Sequence, residues 1–206
     1  MKIYTLQLGH MGNCTYIVQK GKQGIIIDPS WNMRKIYQTL EEHQITPKAV
    51  LFTHGHYDHL TDAQDLLETY QIKGYMGKED IGLTTLPEDF LIALQGDSCL
   101  KIADMQIDFI HTPGHTKGSY CIKIGNVLFS GDTLFCSSIG RTDFPESNAK
   151  DMQKSLVRIS KLPPETLVYC GHSYGPSFKT TIEEEMKNNS FIQMALREPQ
   201  TFGDIL

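Results

Sequence analysis

The sequence predicts an α/β fold in four layers, a sandwich of two β-sheets with helices on both outer faces. Three observations predict it. Strand-like and helix-like segments come in two rounds, strands then helices and again strands then helices. The second round contains an antiparallel hairpin signal, Gly125-Asn126, between two apolar runs. No Gly-rich phosphate loop follows the first strands, which argues against a doubly wound nucleotide-binding sheet.

The 206 residues are expected to form one domain, 1–206, with a substantial core. An apolar content of 40% and a charged content of 21% are ordinary for a globular chain. The net charge of -5 and the lack of a basic tract argue against nucleic-acid binding. The first nine residues alternate like a strand and lack the basic start and longer apolar run of a signal peptide. No apolar stretch is long enough to span a membrane. Five cysteines, odd in number and widely spaced, read as reduced thiols in a cytoplasmic protein.

In chain order, Lys2 to Leu8 alternates as a strand, and Cys14 to Gln19 is a second. After a turn at Gly21 to Gly24, Ile25 to Ile27 forms a third, stopped by Asp28-Pro29. Asp28 is either a turn carboxylate or a buttress behind the histidine-rich loop that begins at Thr53. Met33, Ile36, Tyr37 and Leu40 have helical spacing, so a helix is expected from Met33 to His43. His43 then lies at a solvated helix end, and Trp31 is assigned to the core. Ala49 to Phe52 is a buried strand, Leu60 to Tyr70 a helix and Ile72 to Met76 a short strand. Lys78 to Leu100, punctuated by Gly82, Pro87 and Gly96, is the least legible stretch and is read as a short helix or a pocket rim. Met105 to Ile110, Tyr120 to Ile124 and Val127 to Phe129 are strands. Ser137 to Ser147 is a loop, Lys150 to Leu162 a helix and Leu167 to Cys170 a last strand. Thr181 and Glu184 have capping-box spacing for a final helix, after which a short tail remains.

The chemistry concentrates at strand ends. The run Thr-His-Gly-His-Tyr-Asp-His from Thr53 carries His54, His56, Asp58 and His59, four metal-ligand side chains in six residues. One ion does not need four ligands from one loop, so the stretch points to two adjacent ions. His115, Asp132 and His172 each follow an apolar strand and are each preceded by glycine, which lets the backbone turn sharply. Together these residues use five of the eight histidines. His10, His43 and His111 are left over, with His111 a candidate outer group.

These residues, with Thr-Pro-Gly-His-Thr-Lys-Gly-Ser from Thr112, Phe-Ser-Gly-Asp-Thr-Leu-Phe from Phe129 and Ile-Gly-Arg-Thr-Asp from Ile139, resemble the metallo-β-lactamase superfamily. The resemblance is closest to short, single-domain relatives of glyoxalase II, the hydroxyacylglutathione hydrolases. It implies that His54, His56 and His115 hold one divalent ion, that Asp58, His59 and His172 hold another, and that Asp132 bridges them. Zinc is the expected metal, and iron and manganese suit the same ligands. It further implies cleavage of a small-molecule thioester of the S-lactoylglutathione type by a hydroxide between the ions, which Asp58 helps to orient. Arg141 stands where the family places a basic residue near a substrate carboxylate. A surface arginine paired with Asp143 is the competing reading. The helical C-terminal domain of the longer enzymes is not expected in the short stretch after His172. The alternative is a persulfide dioxygenase acting on glutathione persulfide, whose single iron uses positions matching His54, His115 and Asp132 and whose Gly-Arg-Thr-Asp-Phe segment is similar to Gly140 to Phe144.

Overall fold

The computed structural model describes residues 1–197. Two six-stranded sheets face each other. The first holds β1 (Lys2–Leu8), β2 (Asn13–Lys20), β3 (Gln23–Ile27), β4 (Thr46–Leu51), β5 (Lys73–Gly77) and β6 (Leu91–Leu94), in chain order across the sheet. The second holds β7 (Ser98–Ile102), β8 (Met105–His111), β9 (Tyr120–Ile124), β10 (Val127–Gly131), β11 (Leu167–Cys170) and β12 (Lys179–Thr181). Hairpins join β1 to β3 and β7 to β10 in antiparallel pairs, whereas β3 to β6 run parallel, as do β10 and β11.

The apolar alternation of the strands serves two cores at once. Tyr16, Val18, Ile25, Ile27 and Leu51 point inward and meet Ile107, Phe109, Ile122 and Phe129 of the second sheet. Their neighbours Ile17, Ile26 and Val50 point outward and pack under helices α1 (Met33–Glu42) and α2 (Ala63–Tyr70) through Ile36, Leu40, Leu66 and Leu67. On the other side Cys121, Leu128 and Val168 meet Met152, Leu156 and Ile192 of α3 (Ala149–Ile159) and α5 (Ser190–Arg197). Strands buried on both faces read as continuous apolar runs. Each such isoleucine contributes roughly 1.5–3 kcal/mol through burial. The four layers are those expected.

Local signals behave as their chemistry predicts. The Asn32 and Asn148 side chains cap α1 and α3 by accepting from the N–H groups of Lys35 and Asp151. Thr181 caps α4 (Ile182–Asn188) by accepting from Glu184 N–H, but the Glu184 carboxylate turns to the Thr180 hydroxyl, so only half of the capping box forms. Several expectations need correction. The helix expected from Leu60 begins at Ala63, because Tyr57–His59 forms a tight 3-10 turn that holds Asp58 and His59 inward. Lys78 to Leu100 contains two 3-10 turns, edge strand β6 and the start of β7, too short for periodicity to reveal. The tail expected after α4 continues as α5 up to Arg197, and its remainder lies outside the described residues.

The ligand-type side chains cluster at one end of both sheets, and Asp80 ties the two ends together. It is buried and accepts from Gly55 N–H (2.8 Å), Gly118 N–H (2.8 Å) and the Thr116 hydroxyl (2.6 Å). Gly55 follows β4 in one sheet, and Thr116 and Gly118 follow β8 in the other. Burial raises the Asp80 pKa, and the three donors pull it back. Replacing Asp80 by alanine orphans three buried donors at about 1–3 kcal/mol each. Asp80→Ala is therefore expected to lower the thermal midpoint by about 10 °C or more, with a smaller loss for Asp80→Asn. Calorimetric unfolding of both variants checks it, and a midpoint unchanged in Asp80→Ala would contradict the tie.

Candidate metal centre

Five imidazoles converge here, and each is held from outside by one ring nitrogen. Thr53 Oγ1 donates to Asp28 Oδ2 and so accepts from His54 Nδ1 (3.1 Å). Glu146 Oε1 accepts from His56 Nε2 (2.8 Å), Asp28 Oδ2 from His59 Nδ1 (3.1 Å), the Arg141 carbonyl from His115 Nδ1 (2.8 Å) and the Met11 carbonyl from His172 Nδ1 (3.0 Å). Carboxylates and carbonyls only accept, so this network assigns each tautomer. The nitrogens left over are His54 Nε2, His56 Nδ1, His59 Nε2, His115 Nε2 and His172 Nε2. In the neutral rings these nitrogens carry lone pairs, and they face one another.

The donor atoms of His54, His56 and His115 lie within 4.8 Å of one another, and so do those of Asp58, His59 and His172. Asp132 stands between the two sets. Its Oδ2 is 3.5 Å from His115 Nε2 and 3.3 Å from His172 Nε2, and its Oδ1 is 3.4 Å from His59 Nε2. A third set, Asp28 with His54 and His59, also has metal-like spacing. The Asp28 oxygens, however, are committed to Thr53 N–H, the Thr53 hydroxyl and His59 Nδ1. Asp28 is the buttress of the two readings the sequence left open.

The cluster fits a cation. His54 Nε2 and Asp132 Oδ1 are buried with no hydrogen-bond partner. His56 Nδ1 faces His115 Nε2 at 2.9 Å, and His59 Nε2 faces His172 Nε2 at 3.0 Å. Two lone pairs at that distance repel unless a proton or a metal ion lies between them. Burial holds the His54 imidazole well below its ordinary pKa and lowers His115 as well, which favours neutral donors. Burial also acts to lower His59, but Asp132, Asp28 and Asp58 outweigh it and push that ring up to about 9. Burial acts to raise Asp132, and the charges of His59 and His172 overcome it and hold the carboxyl well below its usual range. The pocket thus demands positive charge.

Glycine geometry brings the strand ends this close. Gly131 has φ +51°, and a side chain there would strike Thr53. Gly171 N–H donates to the Gly131 carbonyl, so β10 and β11 deliver Asp132 and His172 side by side. The cluster opens into a cleft of about 230 Å³ rimmed by Met11, Phe135, Ile139, Phe144 and Tyr174. Tyr174 stacks on His172 with ring centroids 4.4 Å apart. Arg141 lines the same cleft while paired bidentately with Asp143 at 2.8 Å, and it lies over the Phe144 ring. Arg141 is thus paired with Asp143 and placed on the cleft at the same time. The loop Leu83 to Leu86 does rim a cleft, a second one of about 240 Å³ beside Tyr57 and outside the donor cluster.

Three residues went unnoticed in the sequence: Asn13, Asp80 and Glu146. None had a local signal, because their partners Asp58, Gly55 and His56 are far away in the chain. His111, a candidate outer group, instead bonds the Lys117 carbonyl and leans on Tyr120. Trp31 is half-buried and packs against the core under α1 and α2, with its indole N–H on Asn13. His43 caps the end of α1 and stacks on Tyr4.

Ligand-type side chains at the strand ends of a two-sheet sandwich define a class of protein, and comparison with known families states which. The model of the metallo-beta-lactamase superfamily matches residues 8–98 and 103–172. The chain belongs to that superfamily and, by fold and site, to its metal-dependent hydrolases. It is 36% identical over 189 residues to the probable polyketide biosynthesis zinc-dependent hydrolase BaeB of Bacillus velezensis, covering 90% of this chain and 84% of that one. It is 32% identical to the probable metallo-hydrolase YqgX of Bacillus subtilis, with 93% and 98% covered. Among solved structures it is similar to ETHE1 from Myxococcus xanthus, at TM-score 0.88 and 29% identity over 100% of this chain and 89% of that one. It is also similar to TTHA1623 in a di-iron-bound form, at TM-score 0.81 and 30% identity over 91% and 99%.

Asp28 generates a test of the buttressing. Asp28→Ala frees His59 Nδ1 and both Thr53 donors, and an outer partner of a metal-binding histidine is typically worth 10–100-fold in metal affinity. Zinc affinity, measured by competition with a chromogenic chelator, is expected to fall by about that factor. Equal affinity in the variant would remove Asp28 from the site's support.

Proposed function

We propose that this protein is a dinuclear metal-dependent hydrolase of thioesters of the S-lactoylglutathione type. The observation that carries the proposal is the position of Asp132, facing His115 on one side and His59 and His172 on the other. His54, His56 and His115 would hold one divalent ion, and Asp58, His59 and His172 the other, with Asp132 shared. Two such ions, zinc for preference, supply Lewis acidity and a water that ionises near neutral pH. The zinc-dependent relative and the di-iron neighbour support this class of site.

The side chains then divide the remaining work. Asp58, at the floor of the cleft, orients the attacking water. Phe135, Ile139 and Phe144 keep bulk water from the carbonyl. Arg141 offers its guanidinium to a substrate carboxylate, exchanging it for Asp143. A thiolate leaves without needing a proton. That suits a cleft whose phenol, Tyr174, is a poor acid, pushed up to about 12 by burial and then by Asp132 and Asp58. The thiols free in this fold support a reducing compartment, the cytoplasm.

The alternative, a mononuclear iron dioxygenase of glutathione persulfide, uses His54, His115 and Asp132. It leaves the lone pairs of His56, His59 and His172 aimed at nothing, although each of those rings has its own outer partner. The two readings separate on one metal-defined preparation. Zinc-loaded protein is expected to bind two equivalents and hydrolyse S-D-lactoylglutathione. Asp132→Ala is expected to lose both equivalents and more activity than His59→Ala or His172→Ala. Arg141→Ala is expected to raise KM about tenfold for a carboxylate-bearing thioester, and less for a neutral one. Iron-dependent oxygen uptake with glutathione persulfide, without thioester cleavage, would overturn the proposal.

A further inference from the structure

The two donor sets differ in what holds them. The set of His54, His56 and His115 is held by Thr53, Glu146 and Arg141. In the other set, Asp58 and His172 are held largely by the short connection between β1 and β2. His172 Nδ1 donates to the Met11 carbonyl, Ser173 N–H to the Gly12 carbonyl, and Cys14 N–H to the Gly171 carbonyl. Asn13 completes the strap. It is wholly buried, and its Nδ2 donates both to the Asp58 carbonyl (3.0 Å) and to Asp58 Oδ2 (2.9 Å). That same Oδ2 faces His172 Nε2 at 3.4 Å and His59 Nε2 at 3.7 Å.

Which way the Asn13 amide points decides what Asp58 meets. An indole N–H can only donate, so Trp31 Nε1, 2.8 Å from Asn13 Oδ1, fixes the oxygen on its own side and the NH2 on the side of Asp58. Flipped, the amide would set an oxygen against a carboxylate and leave the indole unpartnered. Trp31 itself is held in a left-handed conformation at φ +64°, with its backbone N–H on the Thr61 hydroxyl. A bulky residue adopts that conformation only at a steric cost, so the surrounding contacts must impose it.

We infer that Asn13 is a positioning residue for Asp58, that Trp31 sets its orientation, and that the pair acts on the Asp58, His59 and His172 set alone. The inference rests on the metal-binding reading of the cluster and not on any substrate. Asn13 holds Oδ2 toward the two imidazoles, and the bond to Oδ2 selects the rotamer in which Asp58 can serve them. Trp31 is the chain's one tryptophan, so its fluorescence reports on this set through a single hydrogen-bonded residue.

Metal-free protein titrated with zinc, followed by tryptophan emission and by equilibrium dialysis, tests it. In the wild type, emission is expected to change with one of two equivalents. In Asn13→Ala that equivalent should bind about 10–100-fold more weakly, the other should be unchanged, and emission should no longer follow zinc. Trp31→Phe removes the indole donor while keeping an aromatic ring, and by dialysis should weaken the same equivalent by a smaller factor. Melting of the metal-free variants shows that they fold. Equal weakening of both equivalents, or no weakening in folded Asn13→Ala, would overturn the inference. A wild-type plateau at one equivalent overturns the two-ion reading. In that case the role of Asn13 stands if the single ion moves Trp31 emission and is loosened by Asn13→Ala, and falls if it does neither.

Discussion

Everything in this structure depends on keeping five imidazole lone pairs and two carboxylates facing one another in a buried space. Such a cluster is unfavourable on its own account. Lone pairs repel at about 3 Å, and buried carboxylates lose their hydration. The chain tolerates it because each ring is anchored by its outer nitrogen to a group that can only accept, or whose donor is already spent. The outer bonds decide the tautomers, and the tautomers decide that the inner atoms are donors to a cation. Where the carboxylates crowd most closely, at His59, the ring itself is drawn toward carrying a proton. Metal binding and proton release are therefore coupled at this centre.

The sandwich makes that concentration possible. Neither sheet alone could gather the seven side chains. One contributes the loop after β4, and the other contributes the ends of β8, β10 and β11. The inter-sheet core of Tyr16, Ile25, Phe109 and Phe129 sets their distance. Asp80 and the Met11–Cys14 strap then pin loops of one sheet to loops of the other. These ties are polar and buried, so they act as registers between the sheets. Sliding one sheet against the other would orphan donors on both sides.

Legibility in the sequence followed the range of the interactions. Strands β1 and β8 and the helices α1 and α3 could be read because their residues alternate at a spacing of 2 or 3.6, and β3, β4, β9 and β10 because they are short continuous apolar runs. Edge strands β6 and β12, at four and three residues, are shorter than any period can announce. The seven clustered residues stood out because each lies at the end of an apolar strand, and chain reversals put strand ends on a common edge. Their supporters did not stand out. Glu146 reaches His56 across 90 residues and Asn13 reaches Asp58 across 45, with no pattern around either to mark them. His111 stays outside the cluster for the complementary reason, since closeness to His115 in sequence does not bring it there in space.

What the sequence determined by itself was the layered fold, the clustering of ligand-type residues at strand ends, and the family to which the chain belongs. Those properties come from local periodicity and from the order of residues within single loops. Only the tertiary structure decided which nitrogen of each histidine faces inward, that Asp28 is a buttress, that Arg141 is paired while lining the cleft, and that Trp31 orients Asn13. The physical reason is that a hydrogen bond is satisfied by whichever atom lies about 3 Å away, and that neighbour is chosen by the packing of two sheets.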